Sequence, residues 1–223
     1  MTTEFCRSIS PWHRALGQHR AIAVIRTQNF DLGLRLASLA ARGGMGLIEI
    51  TWNSAQPARL IAQLRQQLPH CWIGTGTLLT TQDLEEAIAA GSQFCFTPHV
   101  DTALIELAQR HQIPLIAGAL TPTEIITAWQ AGATTVKVFP IEAVGGVAYL
   151  KALQGPLNTI PLIPTGGVTL ANAAAFLAAG AMAVGLAGQL FPSSLIAQQD
   201  WWAIEERIRT FNHNLAPWQE TRG

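Results

Sequence analysis

TVKVFPIEAVGGVAYLKALQGPLNTIPLIPTGGV, residues 135–168, holds the pattern that decides the fold. It opens on a β-branched run, passes through GVAYLKALQG (146–155) with apolar residues at helical spacing, and returns to a second apolar run, PLIPT (161–165). Two strands separated by a helix, too far apart for a hairpin, describe a parallel crossover unit. Working outward, the same unit recurs. AIAVI (21–25), GLIEI (46–50), WIGTG (72–76), QFCFT (93–97), PLIAG (114–118), TVKVF (135–139), PLIPT (161–165) and AVGLA (183–187) read as strands, with starts 21 to 26 residues apart. Ala/Leu-rich segments of helical period lie between them, and DWWAIEERIRTF (200–211) closes the series. Capping-type residues stand at Thr81, Asp101 and Thr121, and glycines close helices at Gly43, Gly91, Gly132 and Gly180.

Most strands are apolar on both faces, as parallel strands covered by helices must be. An open doubly wound sheet uses the same units, but eight near-equal ones favour closure into an α/β (β/α)8 barrel of the TIM type. The expected organisation is a single domain over 1–223. Residues 1–20 supply an extra N-terminal helix (2–19) under the barrel bottom, 21–212 the barrel, and 213–223 a tail. On such a barrel, functional groups collect where strands end and the following loops begin.

The bulk composition narrows the function classes. With 49% hydrophobic and only 13% charged residues, the chain as a whole is not disordered. Its 14 basic and 14 acidic side chains cancel, and no basic stripe appears, which argues against nucleic acid or an anionic membrane as partner. Cys6, Cys71 and Cys95 form neither a CxxC nor a Cys/His cluster, so no disulfide framework or structural zinc is expected. The first twenty residues lack a signal-peptide pattern, and no apolar run reaches membrane-spanning length. The expectation is a cytoplasmic protein acting on a small molecule.

Lys137 is one of only two lysines and lies inside a strand-like run. Alternation puts Val136 and Val138 on one face and Lys137 on the other, which in a barrel is the interior. An ammonium there is poorly solvated, so its pKa falls and the amine becomes the nucleophile that carbonyl chemistry through a Schiff base needs. The same residue also fits a lysine snorkelling to water from a strand end, and taken alone it leaves the two readings level. Glu49, between Ile48 and Ile50, points inward by the same rule. It fits either a proton shuttle with a raised pKa or a structural ion pair with Lys137 or an arginine. Arg26 ends strand one and can bind an anion or make a structural pair. Thr75 and Thr77 are expected on one strand face, among glycines that also suit a tight barrel. Gly166 and Gly167, after strand seven, are placed where barrels hold anions on loop amides. Cys95 reads as core and His99 as a loop residue. Trp201 and Trp202 fit an oligomer interface or a barrel cap equally.

Taken in order, IEITWNS (48–54), GTGTL (74–78), FTPHVD (96–101), VKVFP (136–140) and PTGGV (164–168) resemble the 2-keto-3-deoxy-6-phosphogluconate aldolase and 4-hydroxy-2-oxoglutarate aldolase family, from about Ala21 to about Pro192. The resemblance implies a class I aldolase with Lys137 as the Schiff-base lysine and Glu49 as the acid/base. It implies a pyruvyl pocket with Thr77, Pro98 and Phe139, a distal end at Thr165, Gly166, Gly167 and Gly188, no cofactor or metal, and a homotrimer. Two departures bear on the substrate. Asn53 stands where one branch has arginine; the branch acting on the galactonate epimer has Asn there and an arginine ending strand one, as Arg26 does here. Ala187-Gly188 replaces the Gly-Ser of phosphate-binding members, which favours an unphosphorylated substrate such as 4-hydroxy-2-oxoglutarate. Rivals to the aldolase are a non-covalent phosphate-binding barrel lyase or isomerase, and a catalytically silent keto-acid binder.

Overall fold

The computed structural model describes residues 10–219. Within them lie eight strands: β1 (Ala21–Ile25), β2 (Leu47–Thr51), β3 (Trp72–Gly76), β4 (Cys95–Phe96), β5 (Leu115–Ala119), β6 (Thr135–Val138), β7 (Leu162–Pro164) and β8 (Val184–Leu186). All pair in parallel in the order β7-β6-β5-β4-β3-β2-β1-β8. The remaining seam is joined where the Met182 amide donates to the Leu162 carbonyl at 2.9 Å and Thr165 bridges Gly185. The sheet therefore wraps into the expected barrel. An open sheet would have left β7 and β8 as edges with unpaired backbone groups.

Each expected strand is present, with small differences at the ends. The regular part of β4 is only two residues long. Its backbone bonding nevertheless runs on both sides, from Gln93 donating to Ile73 to Thr97 donating to Ile116. The helices are α1 (Pro11–His19), α2 (Phe30–Arg42), α3 (Pro57–Gln67), α4 (Thr81–Ala89), α5 (Thr102–Arg110), α6 (Pro122–Gln130), α7 (Gly146–Leu157), α8 (Ala173–Ala178), α9 (Ser193–Ala197) and α10 (Trp201–Asn214). The short α9 was not expected from the sequence. The cap of α4 is Thr80 rather than Thr81: its hydroxyl accepts from the Asp83 amide at 3.1 Å, and the Asp83 carboxylate accepts from the Thr80 amide at 3.1 Å. Thr121 and Glu124 form the same reciprocal cap on α6, and Asp101 caps α5. Behind α2, Gly44 rather than Gly43 takes the left-handed conformation. α10 runs past the expected barrel end at 212, into a 3-10 turn at Ala216–Trp218. Residues 1–9 of the expected N-terminal helix, with Cys6, and 220–223 of the tail lie outside the described residues.

Strand alternation divides the apolar side chains into two cores. Val136, Val138, Ile48, Ile50 and their equivalents meet the helices. Ile22, Leu47, Phe94, Phe96, Ile116 and Ile163 fill the barrel interior with Trp12 and Leu16 of α1. Trp12 packs 4.8 Å from Phe94 and 6.0 Å from Trp72 between ring centroids, and its indole N–H reaches the Thr135 hydroxyl at 3.5 Å. Helix α1 therefore plugs the N-terminal end of the interior, leaving polar groups to gather at the C-terminal end.

Candidate active site

Lys137 lies in the middle of β6, paired with Gly118 of β5 and Ile163 of β7. Its flanking valines are fully enclosed in the outer core, so the lysine must face inward; it is 7% exposed. Burial, helped by the positive charge of Arg26, pushes its pKa below the usual lysine range, while Glu49 pulls the other way. The ammonium nitrogen sits 4.4 Å from the Phe139 ring centroid and 6.0 Å from that of Phe96. It does not snorkel to bulk water.

Glu49 occupies the matching inward position on β2, beside Val24 and Gly74, and is 4% exposed. Burial raises its carboxyl pKa; Lys137 and Arg26 partly offset this. Among the described residues Glu49 makes no direct ion pair with Lys137 or with any arginine, so the purely structural pairing open to it is not formed. A lysine biased towards its neutral amine and a carboxyl biased towards holding its proton thus share one enclosed space without satisfying each other. A small carbonyl compound fits between such groups: the amine can attack, and the carboxyl can exchange a proton.

Arg26 follows β1, is exposed, and has no hydrogen bond or ion pair among the described residues. Asn53 is exposed too, and its carbonyl accepts from the Gln28 side chain at 2.7 Å. The loops carrying Arg26 and Asn53 are laced together. The buried Ser54 hydroxyl accepts from the Thr27 amide at 3.2 Å and lies 3.1 Å from the Thr51 hydroxyl, and the Ala55 amide donates to the Thr27 carbonyl. Sequence reasoning missed Ser54, although its small polar side chain inside IEITWNS was visible.

Thr75 and Thr77 do not share a face. Gly74 and Gly76 hold the inward positions of β3, so Thr75 points away from the interior and its hydroxyl donates to the Ile50 carbonyl at 2.7 Å. Thr77 lies beyond the strand with φ 65°, a left-handed conformation that a β-branched residue rarely adopts and that ends the alternation. Such an outlier at the mouth of a candidate site marks a position held by its surroundings. Pro98 is half-buried, and its carbonyl lies where a side chain on Gly118 would be. Gly118, the register partner of Lys137, was also missed in the sequence, though it falls on an inward position of LIAGA. Thr165 lines the seam with Gly185. Gly166 and Gly167 take φ of 83° and 101°, and Gly166 abuts the Phe139 ring. Gly188 is exposed, with open space where a side chain would go.

Cys95 is buried among the helix-facing side chains of the outer core. Burial and the Glu49 charge push its thiol pKa far up, so it is core, as expected, and not a nucleophile. His99 lies on an exposed loop, 3.9 Å from Asp101. Among the described residues no three His, Cys, Asp or Glu side chains converge as metal ligands, and no helix is long and apolar enough to cross a membrane. A cavity of about 590 Å³ opens at the opposite end of the barrel, lined by Trp12, Trp72, Ser92 and Gln93 among others; it holds neither Lys137 nor Glu49.

Comparison with known proteins identifies the family of the chain. The model of the KDPG and KHG aldolase family matches residues 13–207. The chain belongs to that family. It is 37% identical over 177 residues to the 2-dehydro-3-deoxy-phosphogluconate aldolase of Pseudomonas aeruginosa, covering 79% of this chain and 80% of the relative. The crystal structure of KDPG aldolase from Legionella pneumophila, with pyruvate captured at low pH as a covalent carbinolamine intermediate, superposes with a TM-score of 0.83 at 27% identity, covering 91% of this chain and 98% of that one. A native KDPGal structure gives 0.81 at 28% identity, covering 89% and 95%. The barrel fold and the aldolase class expected from the sequence, that of a carbon–carbon lyase, are those of this family.

Proposed function

We propose that this chain is a class I aldolase that cleaves a 2-keto-4-hydroxy acid to pyruvate and an aldehyde through a Schiff base on Lys137. The observation that carries the reading is the enclosed, unpaired juxtaposition of Lys137, its pKa lowered, with Glu49, its pKa raised. The neutral amine of Lys137 adds to the C2 ketone, and the carbinolamine loses water to give an iminium. Glu49, through a water, takes the C4-hydroxyl proton as the C3–C4 bond breaks. The electron pair of that bond flows into the iminium, so an aldehyde leaves and the enamine of pyruvate remains. Glu49 helps to protonate the enamine carbon, and hydrolysis frees pyruvate and restores the amine. The iminium supplies the electron sink, so the reaction calls for no metal or cofactor.

Phe139, Thr77 and Pro98 form the pyruvyl pocket in this reading. Arg26, whose guanidinium is unclaimed by the described residues, supplies the cation for a substrate carboxylate or a neighbouring anionic group, with Asn53 beside it. Thr165, Gly166, Gly167 and Gly188 face the distal end. The substrates proposed are 2-keto-3-deoxy-6-phosphogluconate and 4-hydroxy-2-oxoglutarate. A second reading, 2-keto-3-deoxy-6-phosphogalactonate, is favoured by the combination of Arg26 with Asn53. The enzyme is proposed to act in the cytoplasm as a homotrimer. Borohydride reduction in the presence of pyruvate is expected to fix a stable adduct on Lys137, and Lys137→Met to abolish both adduct and turnover. No adduct on the wild-type protein would instead favour a non-covalent lyase or a silent binder, the latter also showing no exchange of pyruvate methyl protons. A retro-aldol assay across the three keto acids, read as pyruvate released, ranks the substrates.

A further inference from the structure

Four glycines hold inward positions near the active end of the barrel, and each missing side chain leaves room for something different. A Cβ on Gly74 would strike the Phe94 ring and backbone, one on Gly118 the Pro98 backbone, and one on Gly185 the Thr165 hydroxyl. Gly76 alone of the four gives its space to an ionisable group: a Cβ there would overlap Glu49 Oε1 and lie 2.5 Å from its Cδ. Gly76 is not in a left-handed conformation, so a side chain is excluded by the carboxylate and not by the backbone. Nor can the strand yield. Gly76 is in register with Thr51 of β2, its carbonyl accepts from the Trp52 amide at 2.7 Å, and two residues on the Leu78 amide donates to the Phe96 carbonyl at 3.3 Å. A side chain at 76 must move the carboxylate.

We propose that Gly76 is a positioning residue: the recess it leaves on β3 holds the Glu49 carboxylate against the barrel wall, clear of the space in front of Lys137, where it can pass a proton to and from the bound keto acid. The inference rests on the aldolase reading of Glu49. The recess accounts for how an acidic and a basic side chain in one small interior stay out of direct contact. A carboxylate displaced by a methyl group at 76 has only the interior to move into, towards the lysine or the substrate's place.

The test is a double-mutant cycle on the full chain with Gly76→Ala, Glu49→Asp and the two combined, Asp being one methylene shorter than Glu. Pyruvate release and borohydride trapping of pyruvate are both measured, the latter at alkaline pH where the Lys137 amine is neutral. Gly76→Ala is expected to lower kcat about a hundredfold, within the usual range for a displaced acid/base, while trapping changes less than about threefold. Glu49→Asp alone lowers kcat, but added to the Gly76→Ala variant it raises kcat about tenfold, because it relieves the overlap. A merely structural glycine would show no such reversal of sign. Retention of kcat in Gly76→Ala, or a further loss in the double variant, overturns the proposal. Should Gly76→Ala fail to fold, a folded double variant supports the proposal and an unfolded one overturns it. Absence of trapping on the wild-type protein would sink the aldolase reading itself, and is thereby distinguished from failure of the role given to Gly76.

Discussion

At the scale of single residues, Lys137 and Glu49 restrain each other through charge rather than contact. The negative charge of Glu49 raises the pKa of Lys137, and the positive charge of Arg26 lowers it, both acting on a value already depressed by burial. The amine attacks only when neutral, so adduct formation falls as the pH drops through the folded-state pKa of Lys137. Glu49→Gln removes the group that holds that pKa up, and the acidic limb of the trapping rate should shift to lower pH. Arg26→Gln removes a group that pushes it down, and the limb should shift to higher pH. Trapping rates at saturating pyruvate across a pH series check both signs. Identical limbs in all three proteins would mean that these charges do not reach the amine.

At the scale of elements, the site depends on two loops acting as one. Ser54 joins the loop after β1 to the end of β2, and through them ties Arg26 to the strand that carries Glu49. Ser54→Ala leaves the Thr27 amide without its acceptor, which costs about 1–3 kcal/mol. With Arg26 less well held, KM for the keto acid should rise several-fold while kcat and the trapping limb stay put; a fall in kcat at unchanged KM would instead put Ser54 in the chemistry. The lacing was not legible in the sequence, because a hydroxyl's partner across 27 residues leaves no periodic trace. What was legible rests on alternation. Val136-Lys137-Val138 and Ile48-Glu49-Ile50 announce inward polar groups whichever helices surround them, and eight such units announce closure. Alternation failed where the chain left extended geometry, at Thr77, which lies just beyond β3 with a left-handed φ. Capping chemistry was found one residue off at Thr80, since two adjacent threonines offer the same hydroxyl and only Thr80 lies three residues before Asp83.

At the scale of the whole molecule, the barrel separates stability from chemistry along its axis. Helix α1 drives Trp12 and Leu16 into one end of the interior, while Lys137, Glu49 and their glycine neighbours occupy the other. Trp12 is 1% exposed and packs on both Phe94 and Trp72. Trp12→Ala should therefore destabilise the protein by about 3–5 kcal/mol, a large-aromatic truncation in a well-packed core. For a chain of this length that corresponds to a fall in Tm on the order of 10 °C. Phe94 is the link by which the loss could travel, since its ring fills the space beside Gly74, next to Glu49 in the register of β2 and β3. If the plug only closes the interior, kcat measured well below the lowered Tm stays within about twofold of wild type, and the Lys137 trapping limb does not move. If Phe94 relaxes into the vacated volume, Glu49 loses its support and kcat falls with stability. Unfolding curves and retro-aldol rates on the same preparation separate the two, and an interior core that joins Trp12 and Leu16 to the strands at the end away from Lys137 calls for the first.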